Sequence, residues 1–144
     1  MTRPWALLAL AWMAGFTLID SSIVSLALPD IARDFDATVA DLAWVTTAYL
    51  LALAATLLAA GRLSDRYSPR LLMAIGAVGF GVLTLACGLA PSFELLVAAR
   101  AAQGVFGGII YTVSLAIAAT AFPPERRATA ISIYFTSGAS GAVL

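Results

Sequence analysis

The sequence has no histidine, no lysine and one cysteine, and its charge is limited to eight arginines and eight carboxylates among 144 residues. Each shortage removes a class of function. A single cysteine, Cys87, allows no intrachain disulfide and no cysteine-based metal centre. Without histidine there is no Ser/His/Asp triad and no imidazole relay. Any proton carrier working near neutral pH must be a carboxylate in a perturbed setting. Net charge is zero with no basic block, which does not suit nucleic acid as a partner. No phosphate-binding glycine loop or metal-ligand cluster can be assembled, so neither an enzyme nor a bound cofactor is expected. Arginine used to the exclusion of lysine points to a biased coding background.

What remains is apolar. The chain is 62% hydrophobic and 11% charged, against about 25% charged for soluble domains. Uncharged runs long enough to cross a bilayer recur along it, which predicts an all-α membrane protein. The expected helices cover 4–28, 42–61, 71–90, 95–122 and 128–144. At about 1.5 Å per residue, twenty residues cross a hydrocarbon core of roughly 30 Å. The first four runs are then complete spans, and the fifth is expected to be cut off at Leu144. Pro29 is read as the end of the first helix, with Asp30, Asp34, Asp36 and Asp41 in the loop after it. No repeat with a period of 20 to 50 residues is apparent.

Arginine placement orients these helices. Arg3, Arg62, Arg66, Arg70, Arg126 and Arg127 fall on one side and Arg33 on the other. The positive-inside rule then puts the N-terminus and the second and fourth loops in the cytoplasm. Arg3, with small residues at Ser25 and Ala27, also fits a cleavable leader, and cleavage would leave the later topology unchanged.

Four of the charges crowd into ten residues, "GRLSDRYSPR", 61–70. Basic residues alone would make this a membrane-surface anchor. Asp65 and Gly61 are not needed for that, and they leave open a mechanical role. Glycines instead gather inside the third and fourth helices. Gly104 and Gly108 form a G-x-x-x-G pair, and Ser137 and Gly141 share the spacing, which lets helix backbones approach closely.

Two charges interrupt apolar runs. A charged group near the bilayer centre costs about 2.5–3.5 kcal/mol even on insertion scales. Asp20 is expected roughly 12 Å from the outer end of its helix, and Arg100 roughly 8 Å from the outer end of the antiparallel fourth helix. Gln103 follows Arg100 at i+3 on one face. Three readings stand side by side. They are a static Asp20–Arg100 salt bridge, snorkelling of Arg100 to the interface, and a polar cavity in which Asp20 exchanges a proton under the influence of Arg100.

The chain resembles the N-terminal part of a major facilitator superfamily transporter. The superfamily signature between helices two and three, G-x-L-[AS]-D-R-x-G-R-[KR], is met by Gly61, Leu63, Ser64, Asp65, Arg66 and Arg70. Ser68 stands at the usual second glycine and Pro69 at a usual basic residue. "IDSSIVSLALP", 19–29, is similar to the L-D-x-T-I-V-N-V-A-L-P motif of the drug:proton antiporter branch, typically its fourteen-helix subgroup. "RAAQGVFGG" is similar to that branch's R-x-x-Q-G-x-G motif through Arg100, Gln103 and Gly104, with Phe106 at the second glycine.

The resemblance implies a retained first helix and a multi-pass protein of the bacterial inner membrane. It implies partners that include the lipid bilayer, protons, a small-molecule substrate and further C-terminal helices of a longer parent chain. Asp20, Arg100 and Gln103 would serve proton coupling and substrate. Gly61, Asp65, Arg66 and Arg70 would form a cytoplasmic gating loop, with Gly104, Gly108 and Gly141 in helix packing. The expected activity is proton-coupled export of drugs or other hydrophobic or cationic compounds. Alternatives are a carrier for a sugar, amino acid or other metabolite, or a non-transporting receptor or scaffold on the same fold.

Overall fold

The computed structural model describes residue 20 and residues 22–121, apart from the side chains at 61, 64, 65 and 118–121. The expected fifth helix, Gly141 and most of the first expected helix lie outside the described residues.

Among the described residues there are four helices and no strand: α1 over 22–34, α2 Val39–Arg66, α3 Pro69–Gly88 and α4 Phe93–Ala121. Pro29 does not end α1, contrary to the expectation from sequence. Proline loses one i→i−4 bond, but its fixed φ is compatible with a helix, and α1 runs on through residue 34. Arg33 and Asp30 pair across one turn of this extension at 3.3 Å, both well exposed. The helix stops at Asp36, whose φ of 48° is left-handed. The Ala37 amide returns to the Ala32 carbonyl at 3.1 Å, which makes a Schellman-type end with aspartate in the usual glycine position. Asp30 and Asp34 are therefore helical rather than loop residues.

The other three helices each start on a hydroxyl. Thr38 caps α2 through a capping box: its Oγ1 accepts from the Asp41 amide at 3.2 Å, and Asp41 Oδ2 accepts from the Thr38 amide at 2.9 Å. Ser68 caps α3, accepting from the Leu71 amide at 3.3 Å, and Pro69 follows at the first helical position. Ser92 does the same for α4, accepting from the Leu95 amide at 3.3 Å. These caps satisfy amide donors that helix starts leave orphaned. They explain why α2, α3 and α4 begin two or three residues earlier than the apolar runs suggest. Similarly, α2 continues to Arg66 rather than stopping at Gly61, because charged side chains do not interrupt backbone bonding.

Among the described residues, three stretches are long and apolar enough to cross a bilayer: Val39–Ala60, Pro69–Gly88 and Phe93–Ile117, of 22, 20 and 25 residues. Their buried share rises from 6% in α2 to 17% in α3 and 39% in α4, so α4 is the central helix. Its buried positions Leu96, Arg100, Gln103, Gly107, Ile110, Ser114 and Ile117 alternate spacings of four and three, the rhythm of one helical face. On α2 and α3, Trp44, Leu51, Leu58, Val78 and Leu85 stay exposed, a surface suited to hydrocarbon or further helices rather than water. Inside the spans, Thr56, Thr84 and Thr112 donate to the carbonyls four residues back, at 2.8, 2.9 and 2.9 Å. Their hydroxyl protons are thus satisfied without water.

Candidate functional site: a buried arginine–glutamine network

Ala27–Val113 form one compact unit, and a polar cluster lies within it where α2, α3 and α4 meet. Arg100 on α4 is 4% exposed and Gln103, one turn later, is 1% exposed. The Arg100 Nε donates to the Val45 carbonyl of α2 at 3.3 Å, and its Nη1 donates to Gln103 Oε1 at 2.5 Å. Its guanidinium carbon stands 4.5 Å from the centroid of the Tyr49 ring. A cation over an aromatic face is worth about 0.5–2 kcal/mol, most where water is excluded.

Gln103 passes the network to α3. Its Nε2 donates to Thr84 Oγ1 at 2.9 Å, and that hydroxyl donates to the Phe80 carbonyl. The Cys87 thiol approaches Gln103 Oε1 at 3.9 Å. Thus one buried cation is held by a backbone carbonyl, an amide oxygen and an aromatic face drawn from two helices. Arginine suits this because its planar guanidinium offers several donors in fixed directions. Snorkelling to the interface, one of the readings open at sequence level, does not describe this arginine.

Glycines bring the helices close enough for these bonds. A Cβ added at Gly104 would fall on the Tyr49 carbonyl oxygen of α2, and one at Gly108 would come within 2.7 Å of Thr56 Cβ and 2.9 Å of the Leu53 carbonyl. On α3, a Cβ at Gly76 would come within 2.6 Å of Ile110 Cγ1, and one at Gly79 would overlap the Phe106 ring. Phe106, which replaces a glycine of the motif, therefore sits in a space that Gly79 supplies. Gly81 and Gly88 meet nothing within 4 Å.

Asp20 is helical and half-buried, and belongs to the other compact unit of the chain. In the stretch 61–70, Gly61, Asp65 and Arg66 belong to the last turns of α2, Tyr67 and Ser68 form the link, and Arg70 lies in the first turn of α3. Arg62, Arg66 and Arg70 are exposed. What the Asp65 carboxylate meets lies outside the described side chains. Sequence reading missed Tyr49, Thr84, Cys87 and the Val45 carbonyl. Thr84 carried a weak signal as a hydroxyl in an uncharged span; the others carried none, since tyrosines, thiols and backbone carbonyls are ordinary in such helices.

A chain whose described residues form helices and their links, with three candidate spans among them and a desolvated arginine network, is a polytopic membrane protein. A family profile described as "Major Facilitator Superfamily" matches residues 10–144, and the chain belongs to that superfamily. It is 41% identical over 141 residues to the "Tetracenomycin C resistance and export protein" of Streptomyces glaucescens, covering 97% of this chain and 26% of that protein. It is 40% identical over 144 residues to the "Multidrug efflux pump LfrA" of Mycolicibacterium smegmatis, covering 96% of this chain and 29% of the pump. The chain spans about a quarter of the length of the curated relatives it matches. Among solved structures, it resembles a bacterial homolog of the human lysosomal transporter Spinster in an inward-facing, unoccupied conformation. That likeness has a TM-score of 0.83 at 24% identity, over 97% of this chain and 29% of the other, and concerns the fold.

Proposed function

We propose that the chain is part of a proton-coupled exporter of drugs or other hydrophobic or cationic small molecules, acting in the bacterial inner membrane. The carrying observation is the buried Arg100–Gln103 network. A cation inside a span costs several kcal/mol unless compensated, and a receptor or scaffold has no use for it. Relatives named for antibiotic export and multidrug efflux support the choice of cargo.

In this reading Asp20 carries the proton, being the carboxylate that interrupts the first apolar run in a chain without histidine. Arg100 supplies a fixed positive charge to the transport path. Its Nε and Nη1 are engaged by Val45 and Gln103, so the charge holds its place while protons and cargo exchange. The two halves of such carriers alternate access by rocking. Asp65, with Arg66 and Arg70, latches the cytoplasmic side in this scheme, and the N-terminus is cytoplasmic by arginine placement.

The deciding experiment is export driven by an imposed pH gradient in vesicles holding the intact transporter, with lipophilic cations and neutral drugs as cargo. Asp20→Asn should insert normally and lose gradient-driven export. Wild-type coupled export in that variant refutes the assignment of Asp20. Asp65→Asn should insert normally but transport slowly, with cysteines placed in the central cavity more accessible from the cytoplasm. Unchanged rate and accessibility would reduce the loop to an anchor.

A further inference from the structure

Resting on that antiporter reading, we infer that Gly107 is a positioning residue of the transport site: the space left by its missing side chain seats the Tyr49 hydroxyl, and so fixes the ring on which the Arg100 guanidinium lies. Gly107 is buried on the same stripe of α4 as Arg100, two turns further on. Its surroundings differ from those of the glycines beside it. A Cβ added at Gly104 or Gly108 would run into a backbone carbonyl of α2, an obstruction without rotamers. At Gly107 the nearest atoms all belong to side chains. The Tyr49 Oη stands 3.0 Å from the Cβ position, and Leu53 Cδ1 and Phe80 Cε2 each stand 3.6 Å from it.

Those distances separate packing from position. At 3.6 Å a methyl group would make ordinary van der Waals contact with Leu53 and Phe80. Alanine is also a far better helix former than glycine. For the fold alone, alanine at 107 is therefore acceptable or better. The hydroxyl is the exception, since it has to give by a few tenths of an ångström. Tyr49 takes up that shift through its ring. Its carbonyl packs against Gly104, and its ring centroid is 4.5 Å from the guanidinium carbon of Arg100, so movement at the hydroxyl tilts the ring against the cation. Such a contact depends on the cation standing over the aromatic face. Through Tyr49, Gly107 sets where the fixed charge of Arg100 rests.

The test introduces Gly107→Ala into two backgrounds of the intact transporter, wild type and Tyr49→Phe, and compares each variant with its own parent. Phenylalanine keeps the ring and removes the atom that meets the new methyl. In the wild-type background Gly107→Ala should melt no lower than its parent yet export about fivefold more slowly, the middle of the range for a cation–aromatic contact. In the Tyr49→Phe background the same change should leave the rate of its parent unaltered. Tyr49→Leu, which removes the aromatic face, should lower export at least as far as Gly107→Ala does. Export at the wild-type rate in Gly107→Ala overturns the inference, as does an equal loss in both backgrounds. Poor folding or a clearly lower melting temperature of Gly107→Ala in both backgrounds also overturns it, because the glycine would then serve packing alone. Melting of the purified proteins without cargo gives a second arm. The shift on Gly107→Ala should be more favourable beside phenylalanine than beside tyrosine, and equal shifts overturn the seating of the hydroxyl whatever transport shows. If wild type itself shows no gradient-driven export, the antiporter reading fails, and the melting comparison still decides whether Gly107 seats Tyr49.

Discussion

The central helix α4 meets its two neighbours in opposite ways. Toward α2 it presents hollows, Gly104 and Gly108, and the groups filling them are largely backbone: the carbonyls of Tyr49 and Leu53, with the Thr56 side chain beside them. Toward α3 it presents knobs, Phe106 and Ile110, and the hollows are Gly79 and Gly76 on the partner. The polar bonds follow the same division. Arg100 reaches a main-chain carbonyl of α2, whereas Gln103 reaches a side-chain hydroxyl of α3. A seam made of backbone has no rotamers with which to absorb an error. A seam made of side chains can yield, because a ring or a branched chain can turn. The α2 side should therefore be the intolerant one, and the α3 side the one that can be repacked.

The strongest challenge to this contrast is Gly104→Ala. The added methyl lands on the Tyr49 carbonyl, and the remedy available is to push α2 away from α4. That motion would also strain the Arg100–Val45 bond and the Tyr49 contact. The expected cost is near the upper end for overpacking, about 3 kcal/mol. It should appear as poor recovery of folded protein and a large drop in melting temperature. A variant that melts like wild type would show that the seam has slack and break the comparison.

Arg100 comes next, because its charge and its geometry can be separated. Arg100→Lys keeps the cation but cannot direct one donor to Val45 and another to Gln103 from a planar fork. Export should fall about tenfold, the worth of one buried charged hydrogen bond at the lower end of its range. Arg100→Ala should fall further, since Gln103 Oε1 loses its principal donor. Equal export and an unchanged pH profile in both variants would make the arginine purely structural.

On the α3 side, Gly79→Ala meets the Phe106 ring, which can swing aside, so a cost of about 1–2 kcal/mol is expected. Adding Phe106→Leu should recover most of it. A paired change on the α2 side has no equivalent, because the obstruction there is a carbonyl. Failure of the second substitution to rescue the first would mean that the two seams are equally rigid.

How much of this was legible in the sequence depends on the kind of interaction. The spans were readable because burial in hydrocarbon demands long uncharged runs, and Arg100 and Gln103 stood out because their insertion is costly. Gly104 and Gly108 were readable as a spaced pair. Helix ends were misjudged at Pro29, Gly61 and Asp41 for one shared reason. Hydropathy marks where the membrane is, whereas caps and backbone bonding decide where the helix is. A proline with a helical φ continues a helix that composition would end, and a Thr38–Asp41 box starts one among residues that composition would assign to a loop. The T-x-x-D spacing of Thr38 and Asp41 is a capping signature, which a reading by hydropathy passes over. The pairing of Gly79 with Phe106 has no such signature, because nothing local to either residue names the other; it follows from the register of α3 on α4.

The smallest effect expected lies at the α3 end of the softer seam, where the sequence departs from its family signature. Ser68 stands at the usual second glycine and Pro69 at a usual basic residue, and together they start α3. The serine oxygen holds the Leu71 amide, and proline occupies a position whose amide would have no helical partner. Glycine and serine are both acceptable at such a cap, which accounts for the exchange in physical terms. Ser68→Gly, which restores the family's residue, should cost only a few tenths of a kcal/mol, whereas Ser68→Ala should cost about 1 kcal/mol. Leu72 is 3% exposed one turn further on, so fraying in the alanine variant would loosen the first packed position of α3 and leave Gly76 and Gly79 engaged. Amide exchange in this turn should quicken in Ser68→Ala and stay near wild type in Ser68→Gly, with the α2 side unchanged in both. If glycine proves as damaging as alanine, the serine oxygen contributes more than a cap, and the seam between α3 and α4 depends on its end rather than on the glycine hollows along it.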